Sequence, residues 1–187
     1  MYKRIIFLVT GSLVMGAGIA LCLQSGYGMD PLAVFVQGIS HFFEVPFGYA
    51  NYAVYLSIAS LAFLLERKQV TIITFLSPFV TSLAIELVLK QTMMQGPLIL
   101  LVLGLCGLSL GIALTITADF GKSCYDAFLY AMMNKMQRDY ATMRWLFDLL
   151  FLLVGFLLKG TIGIGTLLSF LLVGKMVQFL LALINGR

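Results

Sequence analysis

Charge is what this chain has least of. Only 11% of its 187 residues are charged, 61% are apolar and mean hydropathy is +1.03, whereas a soluble domain carries roughly a quarter charged residues. That balance excludes a soluble globular fold and makes the chain an integral membrane protein whose first partner is the lipid bilayer. Period-two alternation is also missing, which excludes a transmembrane barrel and leaves α-helices as the way to satisfy the backbone in lipid. Histidine is reduced to His41 and no Cys-x-x-Cys occurs, so a metal site would lack ligands and neither metal nor cofactor is expected. The three cysteines, Cys22, Cys106 and Cys124, are odd in number and unpaired in spacing, so no disulfide framework is implied. No nucleophile and base fall into a catalytic pattern, which argues against an enzyme. The net charge of +4 comes from basic residues dispersed at segment ends, a distribution that sets topology and gives no footprint for nucleic acid.

What is present is a series of long apolar runs. Six are long enough to cross a bilayer: about residues 5–25, 48–65, 70–89, 97–118, 141–159 and 164–185. At 1.5 Å per residue, runs of this size reach roughly 30 Å, the thickness of the hydrocarbon layer. The first lacks a small-x-small cleavage site, so it is read as a mature helix and not a signal peptide. Lys3, Arg4, Arg67, Lys68, Lys122, Lys135 and Arg138 fall on one side of the alternation and only Lys90 and Lys159 on the other. The positive-inside rule then puts both termini in the cytoplasm.

The chain repeats itself. An offset of 93 lays Gly18-Ile19-Ala20-Leu21 on Gly111-Ile112-Ala113-Leu114, Tyr27-Gly28 on Phe120-Gly121 and Phe35 on Phe128. The register slips by one before Thr74, which then meets Thr166. The single membrane domain, residues 1–187, thus divides into repeat 1, about 1–95, and repeat 2, about 96–187. Each repeat holds three crossings and one short segment, 31–43 or 124–136, too short to span as a helix. An odd number of crossings inverts the second copy, so the expected fold is an all-α polytopic protein of six transmembrane helices in two inverted three-helix repeats. Whether the short segments re-enter the membrane or lie flat at its surface stays open at this point.

The motifs Gly11-x6-Gly18-x-Ala20-Leu21, Gly28-x2-Pro31 and Gly38-Ile39-Ser40 resemble the first half of the YczE/YyaS/YitT family of bacterial membrane proteins. Gly121-x4-Asp126, Arg144-x3-Asp148 and Gly165-Thr166-x7-Gly174 resemble its second half. The chain departs from the pattern at Cys124-Tyr125-Asp126, where the family usually has Pro-Arg-Asp, and at Asp148, where it has Glu. The resemblance implies a multi-spanning, transporter-like protein, and brings no catalytic residues or substrate with it.

Candidate site residues follow from depth and spacing. Lys175 lies midway between Gly165 and Arg187, and a lysine at the bilayer centre costs roughly 2.5–3.5 kcal/mol, so it is a functional candidate. Glu86 is its expected partner, because the offset of 92 lays it on Gln178, one turn from Lys175. Thr74 and Thr166 occupy matching places and would join the same polar cluster. Arg144 and Asp148, four apart on one helix, form an expected ion pair, with Trp145 as an interfacial anchor. Asp126 falls in the first turn of a short helix, where a carboxylate suits the helix dipole. Gly28, Pro31, Gly121 and Gly165 are the expected structural residues. Short-helix N-termini near Asp30-Pro31 and Ser123-Cys124, if they point inward, suit an anion or a polar solute. The function expected on these grounds is that of a small secondary transporter or facilitator for a small solute, with its site between the repeats. The other readings are a substrate-capture subunit of a vitamin uptake system and a non-transporting regulator or assembly factor. A homo-oligomer is compatible with all of them.

Overall fold

A computed structural model describes residues 2–67, 70–91, 96–118 and 123–184. Its described residues form eight helices: α1 (Tyr2–Ser25), α2 (Pro31–Phe43), α3 (Phe47–Leu65), α4 (Ile72–Gln91), α5 (Leu98–Thr117), α6 (Cys124–Met136), α7 (Tyr140–Leu157) and α8 (Ile164–Ile184). Among these residues α1, α3, α5 and α8 are long and apolar enough to cross a membrane. Their outward faces are apolar: Leu167, Phe179 and Leu183 on α8, and Leu98, Val102 and Leu103 on α5, are all exposed. An all-helical chain with so much apolar surface turned outward is a membrane protein. Gly121 lies outside the described residues.

The helix boundaries carry the repeat. Asp30 and Ser123, 93 apart, are the N-caps of the two 13-residue short helices, and their side chains accept hydrogen bonds from the N–H groups of Ala33 and Asp126. Glu44 and Gln137, again 93 apart, end those helices in the left-handed region, both at φ 53°. Pro31 sits at the first position of α2, where its missing N–H costs nothing. One slip later, Thr71 N–H donates to Thr74 Oγ1 at 3.1 Å and its counterpart Gly163 N–H donates to Thr166 Oγ1 at 3.4 Å.

The centre of the molecule is the α1–α5 pair, whose backbones touch. A Cβ on Gly11 would lie 2.9 Å from Thr115 N and 3.0 Å from Gly111 O; one on Gly104 would lie 2.8 Å from Cys22 N and 2.9 Å from Gly18 O. These two sets of atoms are counterparts under the 93-residue offset. As residue numbers rise on α1 they fall on α5, so the two helices run antiparallel. Only glycine permits this approach, and the seven-residue spacing of the four glycines puts them on one stripe of each helix.

The other helices pair around that axis. α4 runs parallel to α1, with Ser12 and Ser77 hydroxyls 2.9 Å apart and Gly16 set against Thr81 and Ala84. α8 does the same to α5, with Leu101 against Gly165 and Ser109 Oγ 3.9 Å from Met176 Sδ. The short helices cross over: α2 packs along α7 and α6 packs along α3. In the first of these contacts Phe35 meets Phe151 at 5.1 Å and Gly38 meets Gly155 and Leu158. α2 thus lies along the second half of α7, and its N-terminus sits beside the middle of that helix.

The link between α7 and α8 doubles back. Lys159 O meets His41 Nδ1 at 3.1 Å, Thr161 N–H donates to Gln37 Oε1 at 2.8 Å, and Gly165 N–H donates to Tyr27 O at 2.7 Å. Residues 159–165 therefore run down the length of α2 before α8 starts. Gly28, at φ +93°, and Gly163 leave room for this crossing, since a Cβ on Gly28 would meet Gly163 N at 2.7 Å. Gly165 lies at the same crossing, where an added Cβ would meet Gly28 O at 2.5 Å.

Candidate functional site

The short helix α6 and α7 bring a polar cluster together, with Asp148 buried and Arg144 exposed. α6 supplies Tyr125 and Asp126 in its first turn, and α7 supplies Tyr140, Arg144 and Asp148 at spacings of four, which place the three on one face. Tyr140 OH donates to Asp126 Oδ1 at 2.5 Å, and Tyr125 OH donates to Asp148 Oδ1 at 2.6 Å. Arg144 lies between the two carboxylates, 3.8 Å from Asp126 Oδ1 and 3.7 Å from Asp148 Oδ2. It also donates to Tyr140 OH at 3.2 Å and lies over the Tyr125 ring at 5.7 Å. Both ion pairs are long. The Asp148 side chain is 10% exposed and that of Arg144 51%, so the guanidinium keeps surface free while the carboxylate behind it is enclosed.

The first repeat faces the same cluster. Asp30, half-buried at the head of α2, accepts a hydrogen bond from Ala33 N–H at 3.3 Å. Tyr55 lies on α3, the helix along which α6 packs, and is half-buried. Cys124 Sγ–H donates to Thr74 O, which ties the head of α6 to the start of α4.

The expected residues divide accordingly. Asp126, Arg144 and Asp148 come together, and the Arg144–Asp148 pair forms as its spacing implied. Asp126 does more than cap: Ser123 is the cap, and Asp126 receives Tyr140 and Arg144 besides. The expectation of a Lys175–Glu86 pair is corrected. Lys175 and Gln178 are exposed, and Glu86 accepts from Gly48 N–H at 2.7 Å, closing the first turn of α3 from the neighbouring α4. The physical reason is the side of α8 that packs: Gly165, Thr166, Ser169 and Val177 are its buried residues, and Lys175 and Gln178 fall on the outward side. Thr74 and Thr166 are buried, and their hydroxyls accept from Thr71 N–H and Gly163 N–H at their own helix starts.

Sequence reasoning missed Tyr55, Tyr125 and Tyr140 and treated Asp30 only as a helix start. The signal was in the repeat. The 93-residue offset lays Tyr55 on Asp148 and Asp30 on Ser123.

The profile of a family of unknown function matches residues 2–182. The chain belongs to that family, DUF6198. This DUF6198 chain is 28% identical over 184 residues to the uncharacterized protein YyaS of Bacillus subtilis (strain 168), covering 94% of the chain and 90% of YyaS. It is 26% identical over 187 residues to an uncharacterized protein of Haemophilus influenzae (strain ATCC 51907 / DSM 11121 / KW20 / Rd), covering 98% of the chain and 85% of that protein. No solved structure matches the DUF6198 chain.

Proposed function

We propose that this protein is a small secondary transporter or facilitator of the bacterial cell membrane, built from two inverted three-span repeats around a central solute site. The wider kinship with YczE and YitT proteins belongs to this reading. The observation that carries it is Arg144, held between the Asp126 and Asp148 carboxylates beside the head of the short helix α6. Discontinuous helices whose N-termini face a polar centre between repeats are a recurring form of transporter site.

The inversion rests on helix direction. If each short helix crossed, a repeat would hold four crossings and α5 would run parallel to α1; the antiparallel glycine contacts favour three crossings and re-entrant short helices. Basic residues then place both termini in the cytoplasm. In this reading solute passes when one half rocks against the other about the α1–α5 axis.

The test is uptake into proteoliposomes holding the purified chain, across a panel of small cations, anions and zwitterions. Saturable uptake of at least one solute is expected, reduced tenfold or more by Arg144→Gln. Uptake no greater than that of empty liposomes across the panel would defeat the proposal. A second reading, a non-transporting regulator or assembly factor, draws on the exposure of Lys175, a charge turned outward where a partner can meet it.

A further inference from the structure

We infer that α8 swings onto α7 and closes the way to the Arg144 cluster, as α4 already lies on α3, and that this closure is the alternate state of the protein. It rests on the reading of the chain as a transporter of inverted repeats, and names the parts that move.

The first half shows the closed arrangement. α4 packs along α3. Asn51 Nδ2 donates to Ser82 Oγ at 2.9 Å, Gly48 N–H donates to Glu86 Oε1 at 2.7 Å, and the rings of Tyr52 and Phe79 meet edge to face at 5.6 Å. Asn51 and Ser82 are buried as a result.

The second half holds the counterparts apart. Offsets of 93 and 92 lay Gly48, Asn51 and Tyr52 on Ala141, Arg144 and Trp145, and Phe79, Ser82 and Glu86 on Leu171, Gly174 and Gln178. Among the described residues α7 does not pack along α8. Arg144, Trp145, Leu171 and Gln178 are exposed, and a Cβ on Gly174 would have nothing within 4 Å. The two helices meet where the Trp145 and Phe170 rings stand 4.6 Å apart. Phe170 adjoins Leu171, so the pair has the register of α3 and α4 within one residue and diverges from there toward Gly174 and Gln178.

The separated faces suit one another. α7 carries the larger residue at each of its three places, and α8 the smaller at two of the facing ones, Gly174 for Ser82 and Leu171 for Phe79. An exchange of bulk that conserves volume is what a packed contact tolerates. Gln178 keeps an acceptor of the same reach as Glu86. Ala141, like Gly48, is the second residue of its helix, where the N–H has no acceptor within the helix. Glycine weakens a helix interior, and Gly174 gains no close packing while α8 stands off; with α8 closed, it makes room for Arg144. The open gap leaves the guanidinium its exposed side, and closure covers it. In an inverted pair of repeats, α3 and α4 part when α7 and α8 meet.

The test is disulfide formation in proteoliposomes, on the full chain carrying Cys22→Ala, Cys106→Ser and Cys124→Ser. Two cysteines link only when their Cα atoms come within about 7 Å. Ala141→Cys with Gln178→Cys reads the closed second half, and Asn51→Cys with Ser82→Cys the closed first half. Ala141→Cys with Leu167→Cys is the mispaired control, since Leu167 lies about 16 Å along α8 from Gln178. Oxidation should link the first two pairs at least ten times faster than the control, and the link between 141 and 178 should abolish uptake until it is reduced. Gly174→Leu should keep the unfolding temperature of the wild type, because nothing lies within 4 Å of the added Cβ, and should slow linking of 141 with 178 tenfold. If the pair at 51 and 82 links and that at 141 and 178 does no better than the control, the closure is refuted, while saturable uptake by the wild type still upholds the transport reading. If the pair at 51 and 82 fails to link, the closed first half is refuted and the inference with it. Linking without uptake of any panel solute by the wild type would overturn the transport reading, and with it the role of the closure as a gate.

Discussion

Adding one methyl group to Gly11 or to Gly104 tests whether the α1–α5 contact is the axis of the molecule. Each Cβ would stand 2.8–3.0 Å from main-chain atoms of the facing helix, whereas ordinary contact begins near 3.4 Å, so the helices must part by about half an ångström. Main-chain atoms cannot swing aside as a side chain can. Overpacking of this kind costs about 1–3 kcal/mol, set against a gain of about 1 kcal/mol from replacing glycine by alanine inside a helix. The net expectation is destabilisation of up to about 2 kcal/mol for Gly11→Ala and for Gly104→Ala. The two effects should match, because the blocked atoms are counterparts in the two halves. Gly174→Ala supplies the control: nothing lies within 4 Å of its added Cβ, so it should gain about 1 kcal/mol. Unfolding in micelles, followed by heat or denaturant, reads the differences, at about 2–4 °C per kcal/mol for a chain of this size. If Gly11→Ala and Gly104→Ala raise stability as much as Gly174→Ala does, the backbones are not in contact and the axis is elsewhere.

Tyr125→Phe removes the 2.6 Å hydrogen bond to Asp148, a residue only 8% exposed; it should cost about 1–3 kcal/mol, read as a lower unfolding temperature, and an unchanged temperature would refute the contact. Glu86→Gln keeps an acceptor for Gly48 N–H and should be nearly neutral, whereas Glu86→Ala should cost about 1 kcal/mol; equal losses in the two variants would instead make the charge of Glu86 the thing that matters. Asp139, the exposed N-cap of α7, has its carboxyl held below the ordinary carboxylate value, first by the Thr142 hydroxyl and then by the Thr142 N–H. Its folded-state value is depressed, so its stabilising share is complete above the ordinary value near pH 4 and fades as pH falls through the lowered one. Asp139→Asn, still a cap, should lack this acid-dependent loss in an acid unfolding titration.

Legibility differed between fold and site for a physical reason. The helices were readable because apolar run length and cap chemistry are local: Asp30-Pro31 and Ser123 start α2 and α6 where their side chains meet free N–H groups, and α2 and α6 end as the repeat predicted. The glycine stripe was readable too, since seven-residue spacing puts Gly11 with Gly18 and Gly104 with Gly111 on one helix face each. The packed side of α8 was not. Apolar residues run all round that helix, so only its contacts show that Thr166, Ser169 and Val177 turn inward while Lys175 and Gln178 turn outward. The tyrosines of the site were hidden for another reason. Aromatic residues are abundant here, and only the crossing of α2 onto α7 and α6 onto α3 separates Tyr55, Tyr125 and Tyr140 from those that face outward.

The two halves share a scaffold and differ in what they hang on it. Caps, left-handed ends and glycine contacts recur at the same offset, so backbone geometry at the head of α2 is repeated at the head of α6. The side chains at equivalent places diverge: Asp30 against Ser123, Asn51 against Arg144, Tyr55 against Asp148. Asn51 is buried and spends its amide on Ser82 at 2.9 Å, so the first half locks that position within its own helices. In the second half the same position is Arg144, free to reach two carboxylates. In the rocking proposed above, a symmetric frame would give two equivalent tilts, whereas charge on one side only would orient a bound solute. A charge-swapped pair, Asn51→Arg with Arg144→Asn, would move the cation to the equivalent place in the other half. It would leave Asp126 and Asp148 without their counter-ion and set the new guanidinium against Ser82, so it should lower stability more than Arg144→Asn alone. If the swap instead restored the stability lost in Arg144→Asn, the two positions would be interchangeable and the asymmetry would carry no function.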